Sequence, residues 1–175
     1  DGDYRMSLLD VGQGLSVLIE TQEHVLLYDT GASYPSGFNL ADAVILPYLR
    51  YRGITRLDAL VLSHGDNDHA GAAQPLLDGV AAERVLSGEP QRTQMTADSC
   101  HQIDGWQWDG VEFVFLHPPG FKDRTGNNAS CVLLVRGPGG QVLLPGDAEA
   151  KLERALLSQL NPVDIVVAGH HGSLS

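Results

Sequence analysis

The strongest strand signal in the chain is the apolar run at 57–62, Leu-Asp-Ala-Leu-Val-Leu. A strand covered on both faces reads as nearly uninterrupted hydrophobicity rather than as alternation. Upstream, residues 5–11 read as a strand that ends in the glycine-bracketed turn Gly12-Gln13-Gly14. Residues 15–20 alternate like a half-buried strand, and residues 24–29 form another, broken by Thr30-Gly31. Residues 40–52 have helical periodicity, with Asn39 as N-cap, Gly53 as stop and Pro47 kinking the helix or starting its second half.

Downstream of the apolar run, a short helix is expected over 70–78 and a strand over 83–87, followed by a polar, irregular stretch at 89–104. Residues 106–116 carry a hairpin signal, with Asp109-Gly110 at the turn. Trp106 and Trp108 read as sheet packing in preference to a base-stacking platform. Further strands are expected at 130–135 and from 141, an amphipathic helix over 148–160, and a final buried strand at 163–168. No internal repeat or low-complexity segment is visible.

At 175 residues the chain reads as one domain with a sizeable core. No apolar run approaches the roughly 18 residues that a membrane span needs. Asp1-Gly-Asp-Tyr-Arg carries no signal-peptide pattern, so the start reads as a domain boundary. The end reads as cut as well, with a C-terminal portion lacking. The net charge of −11 weighs against tight nucleic-acid binding without excluding it. Bound cations would invert the field locally. The basic residues cluster at Arg50, Arg52 and Arg56 and again at Lys122 and Arg124, where solvated surface charge is the default reading. Cys100 and Cys131 are too far apart for a redox C-x-x-C motif. Spacing alone leaves a disulfide and a pair of free thiols equally open.

The chemistry gathers where strands end. The run at 57–62 delivers His64, Asp66, Asp68 and His69; the strand from 141 ends at Asp147; the strand at 163–168 ends at His170-His171; and the strand at 24–28 ends at Asp29. Four of the seven histidines stand in two of these motifs. Unpaired carboxylates beside a buried strand would cost several kcal/mol, a cost that a divalent cation offsets. Imidazole with carboxylate suits zinc, manganese or iron. Two adjacent cations need about six protein ligands, a number that His64, Asp66, Asp68, His69, Asp147 and His170 supply. The competing reading is a polar turn with satisfied hydrogen bonds for the first cluster and plain solvation for the paired histidines.

The ordered set Asp29-Thr-Gly, Ser63-His-Gly-Asp-Asn-Asp-His-Ala-Gly71, Gly146-Asp147 and Gly169-His-His-Gly-Ser173 resembles the metallo-β-lactamase superfamily over nearly the whole chain. The usual H-x-H-x-D-H motif is here H-x-D-x-D-H, with Asp66 at the middle histidine. That variation, with Asp10-Val-Gly-Gln-Gly14, Asn127-Asn-Ala-Ser-Cys131 and the His-His-Gly-Ser ending, is similar to the soluble C-terminal domain of ComEC-type DNA-uptake proteins.

The resemblance implies an α/β fold, an αββα sandwich, with 1–175 being one such domain of a larger bacterial inner-membrane protein. The domain is then expected on the periplasmic, extracytoplasmic face. It also implies that His64 and Asp66 hold one divalent ion, that Asp68, His69 and His170 hold another, and that Asp147 bridges them. Asp29 would support the site from behind. Members often carry a further histidine just before the strand that here begins at Ser130; this chain has Asn127 and Asn128. Fewer and harder ligands shift the preference from zinc towards manganese or magnesium. Asp68 and His171 are expected to carry catalysis, His171 by protonating the leaving oxygen or gripping the phosphate. Gln13, Asn128, Ser173, Lys122 and Arg124 are expected to line the substrate path. A Cys100–Cys131 disulfide would fit an oxidising compartment.

The implied activity is metal-dependent nuclease action on the non-transported DNA strand, with single-stranded DNA as substrate and the membrane channel of the same polypeptide as partner. No small organic cofactor is implied. Tethering beside a channel would make high intrinsic DNA affinity unnecessary. A second reading is an inactive, metal-stabilised docking or gating module of that channel. Hydrolysis of a small ester, thioester or lactam is a third, because one fold hosts many reactions.

Overall fold

The computed structural model describes residues 2–93 and 95–168. The first sheet takes strands β1 (Arg5–Leu8), β2 (Val17–Glu20), β3 (Val25–Tyr28), β4 (Arg56–Leu62), β5 (Ala81–Ser87) and β6 (Asp98–Ser99) in that order. Strands β1 to β3 are antiparallel, and β3 to β6 run parallel. The second sheet has the order β11 (Ile165–Val166), β10 (Gly140–Leu144), β9 (Leu133–Gly137), β8 (Val111–Phe115) and β7 (Gly105–Trp108), antiparallel except where β11 joins β10.

Period-two alternation explains how two sheets make three apolar layers. Val17, Ile19, Leu26, Tyr28, Ala59 and Val61 face the other sheet, where they meet Val111, Phe113, Phe115, Leu133, Val135, Val142 and Leu144. The opposite face of the first sheet, with Leu18, Leu27, Leu60 and Leu62, packs on Ile45, Leu46, Leu49 and Leu76. Those four belong to a π-helical turn (Ala41–Ile45) that continues into α1 (Leu46–Tyr51), and to α3 (Ala73–Gly79). Leu134 and Leu143 of the second sheet pack on Leu152 and Leu156 of α4 (Ala150–Leu156). Helices therefore cover both outer faces, as expected from the resemblance.

The apolar run at 57–62 is β4, buried from Leu57 to Leu62. Asp58 within it is tolerated because its Oδ2 accepts the Val25 N–H at 2.7 Å and its Oδ1 pairs with Arg56 at 2.9 Å. Asn39 caps the helical segment by accepting the Asp42 N–H at 2.8 Å. The Asp109-Gly110 turn has φ of 51° and 83°, the left-handed pair that a two-residue hairpin needs. Trp106 stacks on Phe113 at 5.2 Å inside the sandwich, so the tryptophans do pack the sheet.

Several boundaries differ from expectation. Strand β1 stops at Leu8; after one more bond, from Leu9 N–H to Ser16 O, the chain enters the turn that reaches the Asp68 loop, where Leu15 N–H donates to Asp68 O. The helix expected at 70–78 is two pieces, α2 (Asn67–Ala70) and α3, broken at Gly71 and Ala72. The stretch at 89–104 contains β6 and a 3-10 turn (Cys100–Gln102). The helix expected over 148–160 is the shorter α4. The last strand shrinks to two residues at a sheet edge, where Ile165 and Val166 are 48% and 54% exposed rather than buried. No helix among the described residues is long and apolar enough to cross a membrane.

Candidate metal centre

Strands β3, β4 and β10 bring their C-terminal ends to one edge of the sandwich. Asp29 follows β3 with φ of 62°, an uncommon left-handed conformation that Asp tolerates better than most residues. This twist lets the carboxylate turn back into the protein at zero exposure. There its Oδ1 accepts the Ser63 N–H at 2.6 Å, and its Oδ2 accepts the Ser63 hydroxyl at 2.7 Å. The same Oδ2 lies 2.7 Å from His69 Nδ1.

His69 is carried by α2, which follows Asp66 as its N-cap and is only one turn long. With Nδ1 engaged by Asp29, its Nε2 faces Asp147 Oδ1 at 3.1 Å. Asp147 reaches this position through the Pro145-Gly146 turn after β10. Gly146 has φ of 59°, and a Cβ there would meet Ser63 Cβ and Ser130 Oγ at 2.8 Å. The turn is thus pressed backbone-first against the neighbouring loops, and Ser130 Oγ accepts the Asp147 N–H at 3.1 Å.

His64 follows β4 after Ser63, fully buried, with its ring 4.4 Å from that of His69. One ligand atom each from His64, His69 and Asp147 falls within a 4.8 Å cluster. Asp66 Oδ2 is 3.5 Å from His64 Nε2, and Asp68 Oδ2 is 4.0 Å from His69 Nε2. Both of these carboxylates are partly exposed, at 42% and 31% of their side chains.

The donor set suits a divalent cation. His64 Nε2 is buried and makes no hydrogen bond among the described residues, a costly arrangement unless something fills the gap. Burial, reinforced by His69, lowers the His64 pKa and keeps that ring neutral, as a metal ligand must be. The neighbouring ring has the opposite problem. Burial works against its charge too, but Asp29 and Asp147 outweigh it and hold His69 as an imidazolium, up to about 10. One proton thus partly balances two buried carboxylates in a space where a cation could do so.

His170, His171 and Ser173 lie outside the described residues. Gln13 sits exposed at the tip of its turn. Neighbouring Gly12 and Gly14 line a cavity of about 400 Å³ with Leu9, Val11, His69 and Asp147. Asn128 is buried, donates to Glu149 Oε2 at 2.9 Å and accepts the Glu149 N–H at 3.3 Å, which ties its loop to the start of α4. Arg124 donates to His101 Nδ1, and Lys122 is exposed in the same loop. Cys100 and Cys131 are joined by a disulfide with Cα atoms 5.9 Å apart. Three contributors carried no role in the sequence reading: Ser63, Glu89 and Arg92. For Ser63 the signal was available, since it directly precedes the first histidine.

The family model for the metallo-β-lactamase superfamily matches residues 9–175. The chain belongs to that superfamily. It is 42% identical to Recombination protein 2 of Haemophilus influenzae, over 97% of this chain and 21% of that protein. It is 37% identical to Competence protein ComA of Neisseria gonorrhoeae, over 99% of this chain and 24% of the relative. The chain therefore spans about a fifth to a quarter of the length of these curated relatives. The class B3 di-zinc metallo-β-lactamase LRA-12, from an Alaskan soil metagenome, superimposes with a TM-score of 0.63 at 16% identity, covering 98% of this chain and 76% of that one. This likeness establishes the shared fold, a two-sheet α/β sandwich.

Proposed function

We propose that this chain is the metal-dependent hydrolytic domain of a DNA-uptake protein and that it cleaves phosphodiester bonds in single-stranded DNA. The observation that carries the reading is the cluster of His64, His69 and Asp147, buried at the ends of β4, α2 and β10, in a chain 42% identical to a recombination protein. We assign His64 and Asp66 to one divalent ion, Asp68, His69 and His170 to a second, and Asp147 to both. When bound, such a pair would supply Lewis acidity towards a phosphoryl oxygen and a nucleophilic water near neutral pH. Oxygen donors from Asp66 and Asp68 favour manganese over a purely zinc site.

Around the ions, the chain's own residues orient and exclude. Asp29 fixes the His69 ring through Nδ1 and leaves Nε2 to face the centre. Ser63 joins Asp29 to the backbone of the metal loop. The turn at Gly12 and Gly14 forms one wall of the cavity that opens on His69 and Asp147. His171 would donate the proton to the leaving oxygen. The Cys100–Cys131 bridge supports a position on the oxidising, extracytoplasmic side of a bacterial inner membrane, beside the channel portion of a longer polypeptide.

One observation favours the second reading, a non-catalytic module that docks on or gates the channel. Against a net charge of −11, five of the eleven Lys and Arg residues (Arg52, Arg56, Arg92, Arg136 and Lys151) are each engaged by a carboxylate, which weakens the pull of the surface on a phosphate backbone. A cleavage assay on end-labelled single-stranded DNA with Mn²⁺, Mg²⁺ or Zn²⁺ separates the two. Manganese-dependent cleavage that Asp68→Ala and His64→Ala abolish supports the nuclease. A folded, metal-loaded protein inert on DNA supports the docking module.

A further inference from the structure

The polar stretch after β5 contains two residues that reach the metal loop from outside its motif. Glu89 is buried at 3% exposure, and its carboxylate accepts from two backbone N–H groups and one guanidinium. Its Oε2 accepts the Gly65 N–H at 2.9 Å and Arg92 Nη1 at 2.8 Å, and its Oε1 accepts the Gly126 N–H at 3.0 Å. A carboxylate held by three donors cannot swing, so it acts as an anchor.

Arg92 uses its second nitrogen differently. Nη2 donates to Asp66 Oδ1 at 2.8 Å, so the planar guanidinium bridges the anchor and the candidate metal ligand. Gly65, between His64 and Asp66, makes this approach possible: a Cβ there would meet Arg92 Cβ at 2.7 Å. The arginine stem thus lies directly on the backbone of the metal loop. Asp66 is left with Oδ1 bound to Arg92 and Oδ2 at 3.5 Å from the buried, unbonded Nε2 of His64.

We propose that Arg92, braced by Glu89, is a positioning residue that claims one oxygen of Asp66, so that the His64–Asp66 position binds its cation through a single, charge-compensated carboxylate oxygen and holds it weakly. This rests on the metal-centre reading above. The physical basis is competition. A guanidinium cannot give up its proton near neutral pH, so a divalent ion entering beside His64 meets a fixed positive charge on the far side of its own ligand. A histidine at the position of Asp66 could not be tuned in this way, because a neutral ring that gives one nitrogen to a cation carries its proton on the other and has no lone pair left for an arginine to bond. The arrangement makes the His64–Asp66 position the readily exchangeable one.

The test is a Mn²⁺ titration of chelator-stripped protein, with free ion read by electron paramagnetic resonance and melting temperature recorded alongside. Arg92→Gln keeps a donor to Asp66 and removes the charge. It is expected to tighten the weaker Mn²⁺ position about tenfold or more, and adding His64→Ala is expected to erase that gain. Arg92→Lys, which keeps the charge, is expected to stay within about threefold of the parent. A parent-like or weaker affinity in a folded Arg92→Gln protein overturns the inference, as does an equal gain in Arg92→Lys. Should Arg92→Gln fail to fold, Asp66→Asn in the otherwise unchanged protein decides. A loss of no more than about tenfold supports a carboxylate already compensated, and a loss above about a hundredfold overturns it. A parent protein that binds neither Mn²⁺ nor Zn²⁺ instead brings down the metal-centre reading and this inference with it.

Discussion

Asp29 Oδ2 lies 2.7 Å from His69 Nδ1, and neither side chain is more than 1% exposed. Asp29 follows the end of β3 and His69 lies on α2, 40 residues later, so a buried contact joins the sheet to the loop after β4. The carboxylate also accepts both the N–H and the hydroxyl of Ser63. Three donors converge on two oxygens.

Asp29→Asn therefore isolates charge from shape. Asn tolerates the positive φ of this position about as well as Asp, so the backbone is expected to stay. The amide nevertheless presents N–H groups where Ser63 and His69 also donate, and the imidazolium loses its counter-charge. Removing one partner of a buried pair costs about 3–5 kcal/mol. Urea denaturation of the metal-free variant should show a loss of that order, together with weaker metal binding. A variant as stable as the parent would mean that His69 is held by other contacts.

The Cys100–Cys131 bridge closes a 31-residue separation and abuts the site, because the Cys131 N–H donates to Ser63 O at 2.8 Å. In the loop-entropy account a crosslink of this span stabilises by about 3–4 kcal/mol. Reduction, or a double Cys→Ala variant, is expected to lower the melting temperature and to loosen metal binding as Ser63 gains freedom. A reduced protein that melts within a degree or two of the oxidised one would contradict this.

Much of this arrangement could be read from the chain, and the parts that could not share a cause. Strand β4 was legible because a central parallel strand is apolar on both faces, and the Asp109-Gly110 hairpin because its turn needs left-handed residues. The convergence of His64, His69 and Asp147 was legible because His and Asp cluster at strand ends. Glu89 and Arg92 were not. They lie in a polar stretch without periodicity, and their partners Gly65, Asp66 and Gly126 come from loops brought near only by the fold. The tie between Asn128 and Glu149 was not legible either, because a polar loop residue carries no mark of which way it turns. The strand at 163–168 reads as buried from its composition, whereas β11 has β10 as its neighbour among the described residues and leaves Ile165 and Val166 exposed.

Stability should fall in acid through His101. Burial, then Arg124 and His117, push its pKa down to about 4 from an ordinary 6.5. In the unfolded chain the ring takes up a proton near pH 6.5, while the folded protein resists until about pH 4. The contribution is thus complete above pH 6.5 and is lost as pH falls towards 4. The full shift would be worth about 3 kcal/mol; because the ring is partly solvated, screening leaves about 1–2 kcal/mol. His101→Gln, compared with the parent in the metal-free state, should flatten the stability slope across that window. An unchanged slope would assign the acid sensitivity to another group.

Asp109 acts in a lower window. Its carboxylate accepts from the Thr21 hydroxyl, the Glu23 N–H and His24, and these bonds, in that order, lower its pKa to about 2. Its contribution is present above pH 4 and disappears as pH falls to 2. Asp109→Asn keeps the left-handed turn and should remove only that low-pH component, leaving the step between pH 6.5 and 4 in place.

Gly146 offers the sharpest separation of site from fold. Its φ of 59° and the 2.8 Å approach of Ser63 Cβ and Ser130 Oγ to the point a methyl group would occupy leave no room for a side chain. Gly146→Ala must both adopt a left-handed conformation, costing about 1–2 kcal/mol, and push the turn away from its neighbours. Asp147 is the next residue, so the displacement moves its carboxylate relative to His69 Nε2, now 3.1 Å away. The sandwich beneath is held by residues that the substitution does not touch, among them Val142, Leu144 and Tyr28. Metal affinity should therefore fall by tenfold or more, roughly the order of 1.4 kcal/mol or above, while the melting temperature of the metal-free protein drops by only a few degrees. Parallel losses would show that Asp147 and the core are one cooperative unit, and undiminished affinity would remove Asp147 from the centre.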